Sequence, residues 1–171
     1  MKSGFLIVLC LPLMSVSAIA SELALKLEIP QLNVAEYHRP YVAIWLERPD
    51  QKFVANLAVL YDVKKKNLGG TKYLKDLRQW WRKSGHEVTM PLDGVSGATR
   101  APGEHVITFP GAKAQLDQLP AGDYELVVEA ARESGGRDLV RMPLHWPLAA
   151  TQTIAAKGKE ELGNLLLQLK P

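Results

Sequence analysis

The sequence predicts a mainly β protein, an immunoglobulin-like two-sheet β-sandwich with one short amphipathic helix. Three observations carry this. Apolar residues alternate with polar ones at Leu23, Leu25, Leu27 and Ile29, and alternation recurs at Tyr124, Leu126, Val128 and Ala130, the period of a strand with one buried face. Seven or so short runs of strand character follow one another with turn residues between them, the spacing of a sandwich. One stretch departs to a helical period, with Leu74, Leu77 and Trp81 recurring and Tyr73 and Trp80 beside them.

Along the chain, Met1 to about Ala20 has the form of a cleavable export signal. Lys2 supplies the positive start, Phe5 to Met14 is an apolar run too short to span a bilayer, and Ala18-Ile19-Ala20 is the small-x-small pattern of a cleavage site. Cys10 sits inside that apolar run after Leu9, which does not suit a lipidated cysteine. Residues 21–171 then form one sandwich domain. After the first alternating strand, Tyr41 to Leu46 is nearly all apolar and reads as a central strand. Phe53 to Tyr61 is the next strand, closed by a turn around Lys64 to Gly70. A helix follows from about Tyr73 to Lys83, with Arg82 and Lys83 at its negative end and Gly85 as a stop. A helix that interrupts a sandwich is expected over a sheet edge or an open end. His105 to Phe109 is a further strand. Leu119-Pro120-Ala121-Gly122-Asp123-Tyr124 reads as a tight turn whose Tyr packs back on the corner. Ser134-Gly135-Gly136 is a hairpin turn into Leu139 to Met142, and Asn164 to Leu169 is the last strand.

Composition narrows the function. The chain has 21 Lys and Arg against 18 Asp and Glu, a net charge of +3, and signal cleavage removes Lys2. So even a balance argues against a nucleic-acid binder, which needs a clustered basic excess. The only cysteine, Cys10, leaves with the signal, so the mature chain has no disulfide, no thiolate nucleophile and no cysteine-ligated metal. No second segment is apolar and long enough to cross a membrane.

The informative stretch is Asp93-Gly94-Val95-Ser96-Gly97-Ala98-Thr99, of the form D-x-x-S-G-A-T. With average residue frequencies, its five constrained positions recur by chance in roughly one chain of this length per thousand. It resembles the recognition sequence of the exported flavin transferases. That resemblance implies FMN joined to Thr99 as a phosphodiester, taken from FAD with loss of AMP. The residue types suit the chemistry. A threonine hydroxyl is a weak nucleophile, so base and metal must come from the transferase. Gly97 and Ala98 keep the approach to Thr99 clear, and Gly permits the turn that presents it. Asp93 and Ser96 can brace the loop by side-chain hydrogen bonds to backbone. Arg100 is placed by adjacency to pair with the phosphodiester charge. The motif more often continues with apolar or small polar residues than with Arg100-Ala101-Pro102. The bland alternative is a Gly-containing surface turn.

The order of export signal, early strand, Trp-Trp helix, Asp93 to His105 and then Leu119-Pro120-Ala121-Gly122 resembles, over nearly the whole mature chain, a family of predicted periplasmic proteins, domain of unknown function 2271 (DUF2271). The resemblance implies a small exported domain with a flavin transferase and a PepSY-type membrane redox protein as partners.

Other residues carry weaker signals. Trp80 and Trp81 have faces suited to stacking on an isoalloxazine ring, although helical spacing makes at least one of them a core anchor. His86 and His105 flank the motif and are candidates to tune a flavin or move protons. With His38 and His145 they are scattered and form no helical metal pair. Lys64-Lys65-Lys66 reads as a solvated hairpin tip, with an anionic membrane surface as the weaker alternative.

The leading expectation is an exported electron carrier with FMN on Thr99, rather than a substrate-converting enzyme. Two alternatives are a cofactor-free immunoglobulin-like binding or accessory module, and a ligand sensor whose cleft is walled by Trp80 and Trp81. A Thr99 buried or rigidly hydrogen-bonded would favour the cofactor-free module.

Overall fold

The computed structural model describes residues 22–171, so the export signal lies outside the described residues. The strands in chain order are β1 (Glu22–Ile29), β2 (Tyr41–Glu47), β3 (Phe53–Tyr61), β4 (Ser96–Ala98), β5 (Gly103–Thr108), β6 (Gly122–Ala131), β7 (Arg137–Trp146), β8 (Gln152–Lys157) and β9 (Asn164–Lys170). They form a four-stranded sheet, β5-β1-β9-β8, and a five-stranded sheet, β4-β3-β2-β6-β7. Every pairing is antiparallel except β3 with β4, which is parallel. The two-sheet sandwich expected from the alternating runs is the one found.

The inner core follows from the period of two. Leu23, Leu25, Leu27 and Ile29 of β1 and Leu165, Leu167 and Leu169 of β9 point inward, toward Val42, Ile44, Leu46, Leu126 and Val128 of the facing sheet. Full burial of each such side chain contributes about 1.5–3 kcal/mol. The corner before β6 is also as expected: Tyr124 is buried and its hydroxyl donates to the Pro120 carbonyl at 2.8 Å. A short helix at Lys113–Asp117 and the turn before it add Phe109, Ala112 and Leu116 to this core between β5 and β6.

A second apolar cluster lies on the outer face of the five-stranded sheet. Ala43 and Trp45 of β2, Val59 and Tyr61 of β3, and Val127 and Ala131 of β6 are covered by Leu74, Leu77 and Trp80. This is why Tyr41 to Leu46 reads as a continuous apolar run: both faces of β2 are buried, and it is paired with β3 on one side and β6 on the other. The helical layer thus lies over a sheet face, not over an edge or an open end.

The covering segment is not one α-helix. It runs as 3-10 turns over Lys66–Asp76, a single α-turn α1 (Arg78–Trp80) and a π-turn over Trp81–Gly85. Leu77 breaks the run, with ψ at 71°. The buried residues Leu74, Leu77 and Trp80 are three apart, the repeat of a 3-10 helix, so one face still meets the sheet. The break is tied to Glu129, which is fully buried on β6 and whose carboxylate accepts the backbone N–H groups of Gln79 (3.0 Å) and Trp80 (2.8 Å). Trp80 Nε1 donates to Asn56 Oδ1 at 2.7 Å, and Asn56 in turn donates to Ser84 Oγ at 2.8 Å. The other helix, α2 (Lys113–Asp117), follows a 3-10 turn at Pro110–Ala112.

Buried charge joins the two sheets at the β6–β7 hairpin. Arg132 Nε donates to Glu161 at 3.0 Å, and Gly136 N–H donates to the same carboxylate at 2.8 Å. Asp138 accepts the N–H groups of Lys159, Glu160 and Leu162 at 2.8, 2.8 and 3.0 Å. Burial pushes the Asp138 carboxyl up, but these backbone donors together overcome it and hold it below its ordinary value.

Candidate functional site

The D-x-x-S-G-A-T stretch crosses from a turn into the edge strand β4. The Leu92 carbonyl accepts the N–H groups of Val95 (3.2 Å) and Ser96 (2.9 Å). Ser96 Oγ closes the turn by accepting the Leu92 N–H at 2.9 Å, the bracing expected of it. Asp93 is exposed, and its carboxylate makes no such bond among the described residues. Gly94 has φ of +69° and its backbone lies against Gly111, where a Cβ would come within 2.7 Å of the Gly111 Cα. Both demands fit glycine alone.

Beyond the turn, Ser96, Gly97 and Ala98 pair with Val59, Leu60 and Tyr61. Gly97 lies over the Leu60 side chain, which a Cβ there would approach to 3.0 Å. The ladder ends where Thr99 N–H donates to the Tyr61 carbonyl at 3.2 Å. Thr99 is therefore held by its backbone. It is part-exposed, and its hydroxyl makes no hydrogen bond among the described residues.

Thr99 lies on the wall of a cleft of about 340 Å3. The cleft sits at one end of the five-stranded sheet, where β3, β4 and β6 end and β2 begins. Three tyrosines line it: Tyr37 ahead of β2, Tyr41 at its first residue, and Tyr73 from the helical cover. Tyr41 anchors the cover by donating its hydroxyl to the Gly70 carbonyl at 2.9 Å. Gly70 is packed so closely on the Asp62 carbonyl that a Cβ would overlap it. Tyr73 lies beneath two ammonium groups, with Lys65 Nζ 4.9 Å and Lys72 Nζ 5.3 Å from its ring centre. Arg39, Lys65, Asp62, Asp76 and Glu133 supply the charge of the lining.

All three phenols are held above their ordinary pKa. For Tyr37 the cause is burial, then the Glu161 charge, against Arg132 and Arg39. For Tyr41 it is burial, and for Tyr73 a hydrogen bond to the Glu133 carboxylate. They stay neutral hydrogen-bond donors. The Tyr37 hydroxyl is buried and has no hydrogen-bond partner among the described residues.

The other residues singled out in the sequence are placed elsewhere. Trp80 is fully buried, which leaves it no free face for stacking on a ligand. Trp81 is half-buried against the outer core, its ring centre 6.3 Å from that of Trp80. Neither lines the Thr99 cleft. His86 Nδ1 is bonded to the Trp81 carbonyl at 2.8 Å and His105 Nε2 to the Ala101 carbonyl at 2.7 Å. It is His38, not these two, that reaches the cleft. Arg100 is partly buried and makes no ion pair among the described residues.

No group of three or more His, Cys, Asp or Glu side chains among the described residues is placed to hold a metal. Nor is any described helix long and apolar enough to cross a membrane.

The two-sheet sandwich thus carries a polar, tyrosine-lined cleft beside its edge strand β4. The chain belongs to the DUF2271 family, described as "Predicted periplasmic protein", which matches residues 22–164. No curated protein and no solved structure matches it.

Proposed function

We propose that this protein is an exported electron carrier with FMN bonded covalently to Thr99. The observation that carries the reading is the position of Thr99: the last residue of a flavinylation-type motif, at the end of an edge strand, on the wall of a cleft and with its hydroxyl unengaged among the described residues. The periplasmic description of the family supports a setting in which a flavin transferase works.

Thr99 Oγ attacks the flavin-side phosphorus of FAD, a new Oγ–P bond forms, the bridging P–O bond to the adenylate breaks, and AMP leaves. The hydroxyl proton passes to a base on the transferase, because no carboxylate or imidazole of this chain is hydrogen-bonded to Thr99 among the described residues. What this chain supplies is presentation. Thr99 N–H fixes the backbone on Tyr61, Ser96 and Gly94 set the turn, and Gly97 lets the edge strand lie close over the Leu60 side chain.

Once attached, FMN supplies one- and two-electron redox chemistry, and the chain supplies its environment. Covalent attachment suits an exported carrier, since a tethered flavin keeps a high effective concentration at its site while a free one is diluted away. The electron donor consistent with the family resemblance is a PepSY-type membrane redox protein.

Co-expression with an exported flavin transferase tests this. The denatured protein band is expected to fluoresce as flavin, to keep doing so in Thr99→Ser, and to lose the signal in Thr99→Val. A dark wild-type band, or fluorescence that persists in Thr99→Val, refutes the assignment.

A further inference from the structure

We infer that the cleft beside Thr99 is a seat for the isoalloxazine ring, with Tyr73 as its stacking wall and the Tyr37 hydroxyl as a hydrogen-bond donor to the ring's polar edge. The identity of the ring rests on the reading that Thr99 carries FMN; the seat itself rests on four observations.

First, three phenol rings and the candidate attachment residue line one cleft, and its volume of about 340 Å3 suits a small fused ring system. Aromatic faces suit flat conjugated ligands. Second, Tyr37 Oη is buried without a partner among the described residues. A buried hydroxyl left unpaired costs about 1–3 kcal/mol, and a ligand carbonyl in the cleft would satisfy it. Third, the charge of the lining selects the ligand. Arg39 and Lys65 face Asp62, Asp76 and Glu133, so cations are outnumbered by carboxylates. Such a lining disfavours a polyanion such as a dinucleotide diphosphate and accepts an uncharged flat ring. The one phosphodiester charge is then left at Thr99, on the wall. Fourth, Tyr73 belongs to the helical cover, not to the sheet, and is held by Lys65 and Lys72 over its ring and by its hydroxyl on the Glu133 carboxylate rather than by core packing. It can yield to an incoming ring, while Tyr41 stays fixed through Gly70.

The probe is riboflavin, which has the ring and no phosphate, added to the unmodified protein and followed by flavin fluorescence. Binding with quenching is expected in wild type and in Thr99→Val. Tyr73→Leu is expected to weaken it about tenfold, the scale of one lost aromatic stack, and Tyr37→Phe several-fold. Tyr73 is not part of either apolar core, so Tyr73→Leu is expected to fold, and its melting temperature checks that. In flavinylated protein the same two substitutions should raise the fluorescence of the tethered flavin without changing intact mass. Unquenched flavin in both forms, or equal affinity in wild type, Tyr73→Leu and Tyr37→Phe, overturns the seat. Riboflavin binding at these tyrosines in a protein that never gains FMN mass would support the seat and sink the covalent reading.

Discussion

At the turn into β6, the Tyr124 ring fills the inner core while its hydroxyl reaches back to Pro120. Removing that oxygen leaves the ring packing intact and a carbonyl short of one donor. Tyr124→Phe is therefore expected to destabilise the fold by about 1 kcal/mol, read from urea unfolding with an unchanged slope. Asp138 carries a larger and pH-dependent share. Its folded pKa lies below the ordinary 3.8, so its contribution is complete above that value and is lost as pH falls through the folded pKa. The melting temperature of the wild type should drop as pH is lowered past about 3.8, and Asp138→Asn should show a shallower drop from a lower starting point. Equal pH slopes for the two would contradict the role given to its three backbone donors. The Tyr124 corner was legible because Leu119 to Tyr124 is a local signature. Asp138 was not, because its partners Lys159 to Leu162 are twenty or so residues away and only the fold brings them to it.

Among the elements, the helical cover depends on two contacts that no periodicity reveals. From β6, in the sheet beneath, Glu129 accepts the N–H groups of Gln79 and Trp80 of the cover, and Arg137 pairs with it at 3.2 Å. In Glu129→Gln an amide donor replaces one acceptor and the charge is lost. The expected cost is about 2 kcal/mol, with faster hydrogen exchange at Gln79 and Trp80 as the local readout. Gly85 lies against both indole rings, and an alanine Cβ would stand 2.6 Å from Trp80 Cζ3 and 2.8 Å from Trp81 Cε3. Rigid rings over a packed sheet cannot give way cheaply, so Gly85→Ala should cost about 1–3 kcal/mol in thermal unfolding. The sequence placed a helix here but not its form: Leu74, Leu77 and Trp81 fit an α repeat, whereas the fully buried set is Leu74, Leu77 and Trp80, three apart as in a 3-10 helix. Two strands escaped the reading altogether. β4 is three small residues with no alternation, and β8 has no buried residue, so neither writes an apolar period into the chain.

Over the whole molecule, the sandwich and the presentation of Thr99 are separate achievements of the sequence. The sandwich is written in strand-length apolar patterns and was legible in all the described strands but β4 and β8. The cleft is assembled from Tyr37 and Arg39 before β2, Lys65 just ahead of the cover and Tyr73 within it, Thr99 after β4 and Glu133 after β6, and these are distant in sequence. One cue was open to view: the Tyr37-His38-Arg39-Pro40-Tyr41 run is rich in aromatic and basic residues and immediately precedes a buried strand, a place where loops carry function. The two tryptophans drew attention instead, although their helical spacing is that of core residues. The central claim is chemical, and one measurement meets it directly: peptide mapping by tandem mass spectrometry of the mature protein co-produced with an exported flavin transferase. An FMN phosphodiester is expected on the peptide containing Asp93 to Thr99, assigned to Thr99 and absent in Thr99→Val. An unmodified Thr99 peptide, or FMN mapped to another residue, would contradict it.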